Sequence, residues 1–117
     1  MTRDLFWAAV AEYGEPSHDG WLTLMRFIDG RDDYSLAMFE SDLEAVSTEL
    51  QQRYEEVVAP QRRLPQMDID VAVENACLLG RGVFDSVMAS PDSLRRYVDG
   101  ALGDVLAEER ATYREEN

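Results

Sequence analysis

The chain has 117 residues, and 24 acidic residues against 11 basic ones give it a net charge of −13 at pH 7. This length and a hydrophobic fraction of 45% predict a single helical domain, residues 1–117, with one core. The charge argues against binding to nucleic acid or to an anionic membrane, because contacts with phosphates need clustered basic side chains.

The first two predicted helices are short and carry apolar residues at helical spacing. Thr2 can cap the first helix, which ends in front of a loop that contains Pro16. Asp19 can cap the second, which ends at Gly30, a residue type typical of a left-handed C-terminal cap. One tryptophan lies on each helix, and both are predicted to be core aromatics that pack against the third helix.

The third segment has the clearest pattern. Its apolar residues recur three and four positions apart, at Leu36, Phe39, Leu43, Val46 and Leu50. With Val57 continuing the frame, they predict one apolar stripe on a helix over about residues 34–58. Acidic residues between these positions predict a negative outer surface. The spacing also suits a coiled coil, but it lasts barely three repeats, so packing within the chain is favoured.

A connector and a fourth helix follow. Pro60 and Pro65 end the third helix and predict an extended connector. Asp68 is a good cap for a fourth helix, and its apolar pattern continues through Gly80 and Gly82. Each glycine costs up to about 1 kcal/mol of helix propensity, so one of them is expected to serve a close backbone approach or a local bend.

The last predicted helix begins at Ser90 and Pro91, a cap followed by a proline in the first helical position. Gly100 and Gly103 leave open whether it continues as one helix or two. No run of alternating β-branched residues predicts a strand. The sequence therefore predicts an all-α fold, a compact bundle of five or six helices with one long central helix.

The single cysteine indicates a reducing compartment. Cys77 excludes an internal disulfide and a multi-cysteine zinc site, and its apolar neighbours predict a buried structural thiol. No apolar stretch approaches the roughly 20 residues of a membrane span, and the start lacks a signal-peptide pattern. We therefore expect a cytoplasmic protein without a membrane segment.

Catalytic and metal-binding patterns are missing. The only histidine, His18, lies in a Pro-Ser-His-Asp-Gly loop, where a lone histidine is usually exposed to solvent. Asp29, Asp32 and Asp33 are clustered, but they do not match a calcium-binding loop. The glycine-rich run at residues 79–83 lacks the spacing, the strand and the lysine of a phosphate-binding loop. We predict no catalytic residues, no metal site and no cofactor.

Several short motifs, taken in order, resemble the bacterial domain-of-unknown-function family 4240. They are Asp-Leu-Phe-Trp at residues 4–7, the helix over 36–50, the Gly-Arg motif within 78–84 and Ser-Pro-Asp-Ser-Leu at 90–94. The resemblance covers about the first four fifths of the chain. Residues 59–68 depart from it, because they replace a tryptophan-containing helix and a Gly-Gly-Cys-Ser-Asp-Asp turn. The resemblance implies a helical fold and supplies no established activity.

The charge and the missing catalytic groups favour a non-catalytic protein-interaction module that binds a basic protein. An immunity or antidote protein that blocks a nuclease toxin, by occupying its phosphate-binding cleft, is one example. Complementary charge would speed association and make it depend on salt. The candidate contact residues are Asp32, Asp33, Glu40, Glu44, Glu55 and Glu56.

The alternative is an enzyme or a small-ligand-binding domain. In that case Arg81 and either Asp70 or Asp85 would face a pocket between the third and fourth helices. An internal ion pair of Arg81 is the favoured interpretation, because buried arginines find carboxylates. A third hypothesis is a dimerising regulatory subunit that exposes part of the stripe over 36–57. Both a monomer and a homodimer therefore stay open.

Overall fold

The computed structural model of the chain describes residues 2–14 and 18–98. Within these ranges it contains five α-helices, two 3-10 helices and no strand, which confirms the predicted all-α bundle. The α-helices are α1 (Thr2–Tyr13), α2 (His18–Asp29), α3 (Leu36–Val57), α4 (Gln66–Leu78) and α5 (Arg81–Ala89). The 3-10 helices are Pro60–Arg62 and Pro91–Tyr97.

The long helix α3 is central, as predicted. Its 22 residues make it the longest described helix, and it contacts α1, α4, α5 and the 3-10 helix Pro91–Tyr97. The buried stripe continues from Leu50 to Tyr54, whereas Val57 is 50% exposed, so the prediction that Val57 extends the stripe is wrong. A helix turns once every 3.6 residues, which places Tyr54 and Val58 on the buried side after Leu50.

Both ends of α3 are held by specific hydrogen bonds. At its start Ser35 is the cap, and its Oγ accepts a hydrogen bond from the backbone N–H of Met38 at 3.2 Å. At its end the guanidinium of Arg63 donates to the backbone carbonyls of Val58, at 3.0 Å, and of Glu55. A cation is favourable there because the last carbonyls of a helix carry partial negative charge.

The predicted fourth helix is two helices. Helix α4 begins at Gln66 behind Pro65, so Asp68 lies in its first turn rather than at its cap. It ends at Leu78, and α5 begins three residues later, because Gly80 has φ 115° and ψ 172°. Only glycine adopts this backbone conformation without strain. The bend expected at a glycine is therefore a complete break.

The segments around α4 and α5 also differ from the predicted elements. The connector after α3 contains a 3-10 helix, so it is not fully extended. The segment Pro91–Tyr97 is 3-10 helical, and Ser90 is its N-cap residue, as predicted, but the side chain of Ser90 forms no capping hydrogen bond. Its backbone carbonyl accepts from the N–H of Ser93 at 2.9 Å. The side chain of Thr2, the expected cap of the first helix, is not among the described side chains. Gly100 and Gly103, on which the choice between one last helix and two depends, lie outside the described residues.

The core is one cluster of buried side chains from all five α-helices and the last 3-10 helix. Phe6 of α1 contacts Phe39 of α3, with ring centroids 5.3 Å apart. Trp21 is buried, in agreement with the prediction. Trp7 is half-buried, and its ring contacts the ring of Phe84 of α5, with centroids 5.3 Å apart.

Candidate functional site

A surface cleft of about 340 Å³ lies where α2 ends and α3 begins. We call it the α2–α3 cleft. The end of α2 is closed by hydrogen bonds from the N–H of Gly30 to the carbonyl of Arg26 and from the N–H of Arg31 to the carbonyl of Ile28. The cleft is lined by Met25, Ile28, Asp29, Arg31, Asp32, Tyr34, Ser35, Leu36 and Met38.

The arginine in this lining is already neutralised. Arg31 donates from Nε and Nη2 to the two carboxylate oxygens of Asp33, at 2.9 and 3.0 Å, and its guanidinium lies 4.9 Å from the centre of the Phe27 ring. This hydrogen-bonded pair lowers the pKa of Asp33. In this pair the positive charge of Arg31 is balanced by the carboxylate of Asp33.

Two carboxylates, those of Asp29 and Asp32, line the cleft. Asp29 ends α2, Asp32 lies in the following loop, and both residues are exposed. Neither side chain forms an ion pair with any residue in the described part of the chain. The C-terminal end of α2 adds partial negative charge beside Asp29. The cleft is therefore a negative site on an already acidic protein.

The floor of the cleft is apolar. Met25 and Ile28 are buried, Leu36 is half-buried, and Met38 is 43% exposed. Tyr34 is buried as well, and its hydroxyl donates to Asp42 at 2.9 Å. Burial, and then the bond to Asp42, raise the pKa of that hydroxyl, so Tyr34 remains a neutral donor. An apolar floor next to the exposed carboxylates of Asp29 and Asp32 suits a ligand with an aliphatic stem and a cationic end.

The six predicted contact residues form two groups. Asp32, Asp33, Glu40 and Glu44 lie at or near the start of α3, and all but the half-buried Glu40 are exposed. Glu40 and Glu44 share one side of the helix, because residues four apart are neighbours on a helical surface. Of this group, Asp32 lines the α2–α3 cleft.

Glu55 and Glu56 form the second group. Both are exposed, but Glu55 lies about 16 Å along the helix axis from Glu44, as the rise of 1.5 Å per residue requires. Glu55 also accepts a hydrogen bond from Gln51 at 3.1 Å, and Arg63 binds its backbone carbonyl. The nearby arginine reduces the negative field at this end, so the two groups do not form one site.

The residues of the enzyme hypothesis lie on the surface. Arg81 and Asp85 form an ion pair across one turn of α5, with Nε and Oδ2 3.8 Å apart and both side chains 64% exposed. Asp70 is exposed on α4 and accepts from Gln66 at 2.8 Å. None of the three lines the α2–α3 cleft. An ion pair this exposed contributes at most about 1 kcal/mol to stability.

The described residues contain neither a metal-binding cluster nor a helix that could span a membrane. Among residues 2–14 and 18–98, no group of three or more histidine, cysteine, aspartate or glutamate side chains is placed to hold a metal ion. None of the helices there is both long and apolar enough to cross a membrane. The side chain of His18 is not among the described side chains, so its exposure to solvent remains a prediction.

The thiol of Cys77 is buried, as predicted. It is fully shielded from solvent, and the Oγ of Ser47 lies 3.8 Å from its Sγ. Burial raises the pKa of this thiol to about 12. A neutral, enclosed thiol is a poor nucleophile, so the structure assigns Cys77 to the core.

This environment predicts slow alkylation. At neutral pH we expect iodoacetamide to modify Cys77 about a hundredfold or more slowly in the native protein than in the urea-unfolded chain, because only the thiolate reacts. Mass spectrometry of quenched samples measures both rates. Equal rates would contradict the buried position.

The same shift predicts a loss of stability in alkali. The folded chain keeps the Cys77 proton to higher pH than the unfolded chain, whose thiol has an ordinary pKa near 9. The contribution of this neutral thiol to the free energy of unfolding is therefore complete below about pH 9 and is lost as the pH rises towards 12. Urea unfolding of wild type and Cys77→Ala across this range should show a steeper decline in the wild type.

Comparisons of the chain with models of protein families, with characterised proteins and with solved structures find no significant match. The resemblance to family 4240 therefore stays a prediction. Its Gly-Arg motif lies at the junction of α4 and α5, and its Pro-Asp-Ser-Leu motif lies in the last 3-10 helix. Function has to be inferred from the surface of this chain.

Proposed function

We propose that the protein is a non-catalytic interaction module that binds a basic protein. The contact surface is the acidic face, which we define as Asp29, Asp32, Asp33, Glu40 and Glu44. The observation that supports it most is the pair of exposed carboxylates, Asp29 and Asp32, without an ion pair among the described residues and beside the apolar side chain of Met38.

The acidic face has the composition that a docking surface for a basic protein needs. Its carboxylates attract a positive partner over a distance of about one Debye length, and the net charge of −13 strengthens this attraction. The exposed side chain of Met38, 43% accessible, offers apolar area that becomes buried once the partner has docked. Charge thus increases the association rate, and apolar contact slows dissociation.

The proposal includes a class of partner. A protein that binds nucleic acid has a basic cleft, and a row of carboxylates can occupy the places of the phosphates there. An antidote or immunity protein for a nuclease toxin is one protein of this kind. The proposal also includes a cytoplasmic location, which the single, buried Cys77 supports.

The test compares three baits in host-cell extract at low ionic strength. We expect the wild type to recover one basic protein and the Asp32→Asn/Glu44→Gln variant to lose most of it. The matched control, Asp70→Asn/Asp85→Asn, removes the same charge from α4 and α5 and should retain the partner. Recovery of no basic protein, or equal recovery by both variants, would contradict the proposal.

A further inference from the structure

We infer that the α2–α3 cleft receives one arginine side chain of the basic partner. This inference rests on the proposed function and adds the chemical group that the cleft recognises. The cleft volume of about 340 Å³ is near the lower end of the range for ligand pockets, about 300–1,000 Å³. A cleft of this size accommodates a single long side chain rather than a folded surface.

The charge of the occupant follows from the pairing of the nearby groups. Arg31 is the basic residue in the lining, and its Nε and Nη2 both donate to the carboxylate of Asp33. Asp29 and Asp32 therefore present negative charge to the cleft without a cation from the described part of the chain. An incoming cation supplies the missing partner for both carboxylates.

The apolar lining distinguishes an arginine from a metal ion. Calcium needs six to eight oxygen ligands, whereas this lining presents thioether and aliphatic groups from Met25, Ile28, Leu36 and Met38. The methylene stem of an arginine packs on such groups while its head reaches the rim. The guanidinium also has five donors in a planar fork and is more weakly hydrated than an ammonium, so it suits two separate carboxylates better than lysine does.

The experiment uses the full chain with ¹³C-labelled methionine methyl groups and a capped Gly-Leu-Arg-Leu-Gly peptide. We expect the methyl resonances of Met25 and Met38 to shift as peptide is added. Met67 is the internal control, because it is 81% exposed on α4 and lies next to the acidic Asp68. Its resonance should not move. Replacing the peptide's arginine by norleucine should remove most of the shift, and replacement by lysine should reduce it.

Two charge-matched variants measure the contribution of the carboxylates. Asp29→Asn/Asp32→Asn is expected to raise the peptide's Kd about fivefold, and Asp70→Asn/Asp85→Asn is expected to change it less than about twofold. Equal effects of the two variants, equal shifts with norleucine, or a Met67 shift as large as that of Met38 would overturn the inference.

The outcomes separate this inference from the proposed function. If the methionine resonances do not respond to the peptide while the extract baits still differ, the arginine site is wrong and the interaction module stands. If the cleft binds the peptide but no basic protein distinguishes the baits, the proposed function is wrong.

Discussion

Phe39→Ala is expected to lower the free energy of unfolding by about 3–5 kcal/mol, the usual cost of deleting a buried phenylalanine side chain. Phe39 is fully buried on the central helix α3, and its ring lies 5.3 Å from that of Phe6. The change removes apolar contact and leaves a cavity between α1 and α3. Urea unfolding followed by far-ultraviolet circular dichroism measures the loss.

Met67→Ala is the control for this substitution. Met67 is 81% exposed, so its truncation should change the unfolding free energy by less than about 0.5 kcal/mol. Similar losses from both variants would mean that Phe39 does not lie in the core of the molecule.

Alanine substitutions at the two neighbouring glycines are expected to have opposite signs. Gly80→Ala should lower the unfolding free energy by about 1–3 kcal/mol, because φ 115° with ψ 172° strains any residue that has a Cβ. No heavy atom outside residues 79–81 lies within 4 Å of the Cβ position, so the cost is in the backbone and not in a clash. Gly82 has equally open space, but it lies inside α5.

Gly82→Ala should therefore raise the unfolding free energy, by up to about 1 kcal/mol, because alanine favours a helix and restricts the unfolded chain. The two variants add the same atoms two positions apart, so each is the control for the other. Urea unfolding under identical conditions measures both. Destabilisation of similar size at both positions would show that the chain does not break at Gly80.

Helix content was predictable from the sequence because it depends on local spacing. Residues three and four apart in α3 identified the buried side from Phe39 to Leu50 without any knowledge of tertiary contacts. The error at Val57 arose where a tyrosine took over the buried position. Tyr54 is only 1% exposed because it lies four residues after Leu50, on the side of the helix that helical spacing buries. Its hydroxyl also accepts a hydrogen bond from the N–H of Leu64, and that bond could not be read from the spacing.

The break between α4 and α5 could not be read from residue types. A glycine fits a helix interior and a positive φ alike, and the apolar pattern continues across Gly80 from Cys77 to Phe84. The packing of each helix against the rest of the bundle decides whether Gly80 continues a helix or ends one. Helices α4 and α5 each contact α3 and the last 3-10 helix, and one straight helix would have a different path.

The acidic surface was predictable from the sequence, but the separation of its carboxylates into distinct groups was not. The sequence identified Asp32, Glu40 and Glu44 as candidates from charge alone. It could not show that Arg31 neutralises Asp33, since that pairing depends on the conformation of the loop before α3. It also left Asp29 out of the interaction surface. Only the fold places Asp29 beside Asp32 in the lining of one cleft.

The proposed function requires that the acidic face recognise a positive partner. The association rate of the basic protein recovered by the wild-type bait, measured by stopped-flow at increasing ionic strength, tests it most directly. We expect the association rate to fall steeply with salt for the wild type and less steeply for Asp32→Asn/Glu44→Gln. A wild-type rate that does not change with salt, or the same dependence in both proteins, would contradict it.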